Sequence, residues 1–360
     1  MRPLELADVE RAARARLADD IWDFVEGGSG SERTVAANRA AFGQCGLRPR
    51  TLVDVSEVDP GLALLGSPLR TPIGIAPVAY HQLLHPEGEV ATARGAGRAG
   101  ALMVAGIFAS RTLESIAEAA TGPLWLQLYW LRRRDALAAL IERAEAAGFR
   151  ALVLTVDAPR IGRRLRDARN GFAIPGHVRA VNLDQALMAA SHRAGQGSSG
   201  IAEHAKEQFD PTLSWADLAW LRERSSLPIV LKGILTAEDA RLAAEHGVDA
   251  VVVSNHGGRQ LDGALPTLTV LPEVVAAAGP SLPVLLDGGV RTGTDAALAI
   301  ALGARAVLIG RPALWGLAAD GEDGVAGVLD LLTAELEDTM ALLGRPRLAD
   351  LDPTVLTAPR

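Results

Sequence analysis

The chain has 360 residues, 49% of them hydrophobic and 22% charged, with a net charge of −7. This is the composition of a globular protein long enough for one large α/β unit; its acidity argues against a nucleic-acid partner, and no run approaches the roughly 18–20 uninterrupted apolar residues of a membrane span. The single cysteine, Cys45, excludes an internal disulfide and any multi-cysteine metal site, and no metal is expected.

The opening residues, MRPLELADVERAARARLADD, alternate in charge around no apolar signal core, so the expected location is the cytoplasm. Helices are predicted over about 4–17, 19–27 and 33–42. EGGSGSE (26–32) precedes a helix but follows no strand, and reads as a turn. Cys45 reads as small apolar filler rather than a reactive thiol. Eight short β-like runs follow, at 71–77, 101–106, 124–129, 151–157, 228–233, 250–255, 283–289 and 306–311. Their Val, Ile and Leu do not alternate with polar residues, which is the pattern of strands buried on both faces of a parallel sheet. Alanine-rich amphipathic segments such as 133–148 and 236–247 lie between them, each stopping at a glycine.

Eight strand–helix units predict a (β/α)8 TIM barrel with an N-terminal helical extension, one domain over 1–360. The exception to the regular spacing is a long loop after the fourth run. Its part 194–212 reads as a loop or lid, with a helix from about 214. The tail from 345 is expected to wrap the surface.

In such a barrel the loops at the C-terminal ends of the strands converge on one mouth. Those ends carry Gln127 and Tyr129, Thr155 and Asp157, Lys232, Ser254 and His256, Asp287, and Arg311. Each i, i+2 pair points the same way along its strand. One polar strand end is ordinary loop trim. Six at one rim point to a ligand, because a buried polar group left unpaired costs about 1–3 kcal/mol. DGGVRTGTD (287–295) and GRP (310–312) add glycine turns, a helix start and two arginines, Arg291 and Arg311, which suit a phosphate dianion. The arginines of RIGRRLRDARNG (160–171) suit a local anion site.

At SNHGGRQLDG, LTVDAPRIGRR, VLKGILTAEDA, LLDGGVRTGTD, IGRP, HPEGEVATARGAG and ANRAAF the chain resembles the FMN-dependent α-hydroxy-acid oxidase and dehydrogenase family, over about residues 5–345. The stretches WDFVEGG, APVAYH, PLWLQLY, RRLRDARNGFAIP and GARAVLIGRPAL resemble its hydroxymandelate oxidase branch. The resemblance implies FMN as cofactor and a small 2-hydroxy acid as substrate. It makes His256 the catalytic base, Asp157 the carboxylate that supports the imidazolium, and Tyr129 a hydrogen-bonding partner of the substrate. Arg164 and Arg259 match the pair that grips the substrate carboxylate. Lys232 matches the cation beside the flavin, while Gln127, Thr155 and Ser254 resemble polar contacts to its ring and ribityl chain. Pro77, Val78 and Ala79 would supply backbone along the ring. Asp287, Gly288, Gly289, Val290, Arg291, Gly310 and Arg311 would bind the ribityl-phosphate end.

Two positions depart from the family pattern. Phe24 stands where most members have a tyrosine that helps hold the carboxylate, and Gly106 where glycolate oxidase has a serine. With Phe108 and Ile161 they favour an aryl substrate over glycolate, unless Phe24 is merely a helix core residue. Tyr80 and Trp130 either line the aryl pocket or pack elsewhere. The implied reaction is oxidation of an (S)-2-hydroxy acid to the 2-oxo acid, with O2 giving H2O2. Whether His256 takes the hydroxyl proton or the α-proton stays open. The alternatives are a lactate or glycolate oxidase, a dehydrogenase passing electrons to a quinone or protein, a decarboxylating monooxygenase outcome, and a phosphate-ligand barrel without redox chemistry. A membrane-bound relative would carry an insertion after the fourth run, where only the modest apolar patch ALMAA occurs. A homotetramer is expected by analogy.

Overall fold

The computed structural model describes residues 3–183 and 207–357. Helices α1 (Leu6–Arg16), α2 (Asp19–Glu26) and α3 (Arg33–Phe42) form the N-terminal extension, within two residues of their predicted bounds. A small antiparallel hairpin follows, β1 (Leu62–Leu64) and β2 (Ser67–Leu69). Eight strands come next: β3 (Ile73–Ile75), β4 (Met103–Ala105), β5 (Leu124–Leu128), β6 (Leu152–Thr155), β7 (Ile229–Ile234), β8 (Ala250–Val253), β9 (Val284–Asp287) and β10 (Ala306–Ile309). They close in the order β10-β3-β4-β5-β6-β7-β8-β9, each pair parallel. This is the (β/α)8 barrel the eight runs predict.

The helices around it are α4 (Glu89–Arg98), α5 (Leu113–Ala119), α6 (Arg134–Ala146), α7 (Leu165–Asn170), α8 (Leu218–Arg222), α9 (Ala237–Glu245), α10 (Thr267–Ala278), α11 (Gly293–Ala301) and α12 (Arg311–Leu343). Their bounds follow from local chemistry. Thr236 and Thr292 cap α9 and α11 by accepting from Asp239 N and Asp295 N, each two residues into its helix from the first. Just past α6, Gly148 turns the chain left-handed at φ 88°.

Strand residues are buried on both faces for different reasons. Val104, Val153, Val230, Val252, Leu285 and Leu308 fill the barrel interior, while Met103, Leu152, Leu154 and Val251 belong to the layer under the helices. Leu64 and Leu69 of the hairpin join the interior cluster, so β1–β2 plugs the barrel. The hairpin has no counterpart in the sequence reading. Its strands are three residues long and one contains Pro68, too short for a period to register.

The loop expected over 194–212 falls outside the described residues up to 206, as does the ALMAA patch. From 207 the chain is latched to the segment after β5: Asp210 N donates to Trp130 O at 2.8 Å, Arg132 N to Gln208 O at 2.8 Å, and Arg134 pairs with Asp210 at 2.6 Å. The expected helix near 214 is a turn at Trp215–Asp217 running into α8. The tail does run back over the surface, bridging Arg347 to Asp59 and Leu356 to Leu47. Among the described residues no helix is long and apolar enough to cross a membrane.

Candidate active site

After β8 the chain makes the turn that carries the imidazole. His256, Gly257 and Gly258 are left-handed in succession, at φ 60°, 63° and 77°. For histidine this costs roughly 1–2 kcal/mol, so the turn must be held by its neighbours. Asn255 holds it from within, its Oδ1 accepting from Gly258 N at 3.1 Å. Its side chain also exchanges two 2.8 Å hydrogen bonds with buried Asn38 of α3. His256 N donates to Ser254 Oγ at 3.1 Å. The ring is thereby aimed so that Nδ1 lies 2.9 Å from Asp157 Oδ1 and Nε2 3.5 Å from Tyr129 OH.

Asp157 reaches the ring because the neighbouring strand makes room. The β7–β8 register slips between Lys232 and Ile234, and Gly233 sits there at φ 115°. A Cβ on Gly233 would lie 2.6 Å from the Asp157 Cβ. Gln260 ties the two loops together: its Nε2 donates to Asp157 O at 2.9 Å and Arg160 O at 2.8 Å, and its Oε1 accepts from Gly162 N at 3.0 Å.

Burial pushes the His256 pKa down, opposed by Asp157 and reinforced by Lys232 and Arg164. The ring is therefore a neutral base whose conjugate acid has a carboxylate waiting. Burial alone would raise the Asp157 pKa, but the His256 and Lys232 charges bring it below the usual carboxylate value. The buried Tyr129 phenol, also facing Asp157, is pushed up to about 12 and stays a donor.

Five cations surround this group, Lys232 buried and four arginines half-buried. Lys232 Nζ lies 3.1 Å from Asp287 Oδ2 and donates to Ser254 Oγ at 2.9 Å. Burial opposes its charge, yet Asp287 and Asp157 leave its pKa raised. Arg164 has a buried Nε with no hydrogen-bond partner. Burial and the proximity of Arg164 and Arg311 push Arg259 well below the ordinary guanidinium value. Burial and Arg311 hold Arg291 down to about 10. Arginine keeps its charge in proteins, so these downward shifts measure desolvation and repulsion that a bound anion would relieve.

A cavity with ≈ 1210 Å³ of empty space, open mouth included, joins these groups. The side chains or backbone of Phe24, Pro77, Val78, Ala79, Gly106, Gln127, Tyr129, Arg164, Lys232, His256, Arg259, Asp287, Gly288, Gly289, Val290, Arg291, Gly310 and Arg311 line it. Three expected residues stand one layer behind. Asp157 backs the imidazole. Thr155 accepts from Gln127 Nε2 at 3.0 Å. Ser254, fully buried, lies under Lys232 and His256. Thr155 and Ser254 thus orient wall residues from behind.

Arg311 also ties the site to the N-terminal extension. Its guanidinium donates to the carbonyls of Val25, Glu26, Gly27 and Gly257 at 3.1–3.3 Å. Arg259 likewise donates to Val25 O at 3.3 Å and to Gly27 O. Both cap the C-terminal end of α2, where carbonyls lack helical partners. The EGGSGSE turn is therefore part of the site: Ser29 N donates to Gly258 O at 2.9 Å, and Ser31 and Thr34 are held by Asp262. No local pattern in 26–32 signals a partner more than 200 residues away.

The wall opposite the cations is aromatic. Phe24 stacks on Phe172 at 4.8 Å and carries Arg259 5.4 Å from its centroid; it is both core and cavity wall. Tyr80, Phe108 and Ile161 line the cavity too, whereas Trp130 packs edge-on against Trp220 at 5.4 Å, outside it. Phe209, missed in the sequence, stacks on Tyr129 at 4.4 Å and Phe108 at 6.0 Å. Asp167, also missed, is buried beside Arg164 with neither carboxylate oxygen hydrogen-bonded, and burial raises its pKa.

Known proteins resemble this chain along its length. A family model described as FMN-dependent dehydrogenase matches residues 13–358. The chain is 49% identical over 344 residues to 4-hydroxymandelate oxidase of Amycolatopsis orientalis, covering 96% of this chain and 95% of that protein. It is 47% identical over 358 residues to L-lactate oxidase of Nostoc sp., covering 98% of each. A solved structure of mandelate oxidase with (S)-4-hydroxymandelic acid matches with a TM-score of 0.95 at 47% identity, covering 99% of this chain and 98% of that one.

Proposed function

The chain belongs to the FMN-dependent dehydrogenase family, and from that premise we propose that it is an oxidase of (S)-2-hydroxy acids with an aryl side chain. The substrates proposed are (S)-mandelate and (S)-4-hydroxymandelate, oxidised to the 2-oxo acids while O2 becomes H2O2. The observation that carries the reading is a half-buried imidazole, flanked by a carboxylate and a phenol, sharing one cavity with two guanidinium groups.

The residues fit FMN. Asp287 Oδ1 is buried at the cavity without a hydrogen-bond partner, as a contact awaiting a hydroxyl donor would be. At Gly310 an added Cβ would meet nothing nearer than 3.9 Å and would take up cavity space. Pro77, Val78, Ala79, Gly106 and Gln127 would hold the ring. Asp287, Gly288, Gly289, Val290, Arg291, Gly310 and Arg311 would hold the ribityl phosphate at the start of α12. FMN, when bound, supplies the two-electron acceptor.

The chain's own part begins with the carboxylate. Arg164 and Arg259 bind it, gaining relief from mutual repulsion. Tyr129 donates its phenolic hydrogen to the substrate. His256 accepts a proton at Nε2, because Nδ1 is committed to Asp157, and the resulting imidazolium is stabilised by that carboxylate. Lys232 keeps a positive charge beside the acceptor, where electrostatic stabilisation counts most. Phe24 withholds a hydroxyl from the carboxylate and offers an apolar face, which supports an aryl substrate. The assembly proposed is a homotetramer in the cytoplasm.

The similarity to an L-lactate oxidase over 98% of the chain favours an alkyl substrate as the second reading. Anaerobic bleaching by (S)-mandelate, (S)-4-hydroxymandelate, (S)-lactate and glycolate, followed by air, separates the two. Faster bleaching by the aryl acids and recolouring with H2O2 are expected. Faster bleaching by lactate or glycolate overturns the aryl assignment, and failure to recolour in air overturns O2 as acceptor.

A further inference from the structure

We propose that Phe209 sets the upper size limit of the substrate side chain, as a removable partition between the catalytic cavity and a second one. The inference rests on the reading of the first cavity as a 2-hydroxy-acid site.

The second cavity, with ≈ 920 Å³ of empty space including its mouth, lies on the outer side of β6 and β7 beneath residues 209–218. Leu154, Leu231, Trp130 and Trp215 give it an apolar wall, and Asp210 and Asp239 line it beside them. Among the described residues, Tyr129 and Phe209 alone line both cavities. Their rings stack at 4.4 Å with an interplanar angle of 25°, so the partition is one double layer of aromatic carbon.

The two rings are not equally committed. Tyr129 is tied to the chemistry through its hydroxyl, 3.5 Å from His256 Nε2. Phe209 has no polar atom to commit, and its ring is placed by backbone: the latch of Gln208 and Asp210 to Trp130 and Arg132. Truncating Phe209 therefore removes the ring while leaving the latch bonds available. The carboxylate end of any substrate is fixed by charge at Arg164 and Arg259, so extra length at the other end presses on the aromatic wall of Phe108 and Phe209. A single ring stays within the first cavity. A second ring attached to it meets Phe209, and only loss of that side chain opens the space behind.

The test compares wild type, Phe209→Ala and Phe209→Leu by anaerobic flavin bleaching with (S)-lactate, (S)-mandelate and (S)-4-phenylmandelate. The quantity read is the second-order rate constant of bleaching for 4-phenylmandelate divided by that for lactate. It should rise roughly tenfold or more in Phe209→Ala and less in Phe209→Leu, the scale on which pocket contacts discriminate. A general weakening of the fold would lower all three substrates together and leave the ratio where it was. An unchanged or lower ratio in both variants overturns the partition. If Phe209→Ala does not retain flavin, the same ratio in Phe209→Leu decides. A wild type bleached by none of the three acids overturns the underlying site reading as well, whereas a reactive wild type with an unmoved ratio overturns the partition alone.

Discussion

The imidazole of His256 lives in two fields at once, with a carboxylate on one nitrogen and cations around the ring. Burial, Lys232 and Arg164 outweigh Asp157, so its pKa lies below the ordinary imidazole value of about 6.5. The sign follows. Above that value the ring is neutral and competent, and as pH falls through the lowered pKa it becomes charged and inactive. The anaerobic bleaching rate at low substrate should be flat above about pH 6.5 and fall on the acid side. Asp157→Asn removes the group that raises this pKa, so the acid limb should move lower still while the rate drops about 10²–10⁴-fold. Stopped-flow pH profiles check both; an acid limb centred above neutrality contradicts the neutral-base state. At this scale the sequence was informative about identity and less so about depth. Period-2 alternation finds Thr155 with Asp157 and Ser254 with His256, but it gives direction, not distance from the mouth. That is why Thr155 and Ser254 stand a layer behind the wall. Phe209 was illegible because only the closed barrel brings residue 209 against residue 129.

The elements that matter most are the irregular ones. Eight barrel strands were legible because unbroken aliphatic runs have few other uses, and their helices because glycine and threonine mark the ends. The bulge in β7 was not, since the glycine of VLKGILT reads as a strand-end turn until Asp157 is seen against it. Its importance can be isolated with two glycines. Gly233 and Gly247 both have positive φ, 115° and 65°, but a Cβ at Gly247 meets nothing within 4 Å. Gly233→Ala and Gly247→Ala should each lose about 1–3 kcal/mol of stability from backbone strain. Only Gly233→Ala, which forces Asp157 away from His256, should also slow bleaching, by about 10-fold or more. Denaturant unfolding and stopped-flow rates measured on the same samples test this; equal bleaching rates would separate the bulge from the chemistry.

On the scale of the molecule, the structure concentrates positive charge at one end of the barrel and leaves part of it for a ligand to satisfy. Lys232 is buried and Arg164, Arg259, Arg291 and Arg311 are half-buried around it. Removing FMN should therefore lower the melting temperature, and adding it back should raise Tm with concentration, the unfolding free energy gaining about 4 kcal/mol at a thousandfold excess over Kd. Riboflavin, lacking the phosphate dianion, should restore less, and Arg291→Ala should narrow the gap between the two. Thermal scans of apo protein across both ligands read this directly; equal recovery by riboflavin would remove the phosphate role from Arg291.

The clasp of α2 has a consequence for how the protein is made. Carbonyls of residues 25–27 receive donors from residues 259 and 311, near the two ends of a chain synthesised in one direction. The segment that emerges first gains part of its cap from residue 259 and the remainder only when residue 311 has been made. A nascent chain stopped at residue 300 would already possess its base, its supporting acid and both carboxylate-gripping arginines, yet half the clasp that gathers them would be missing.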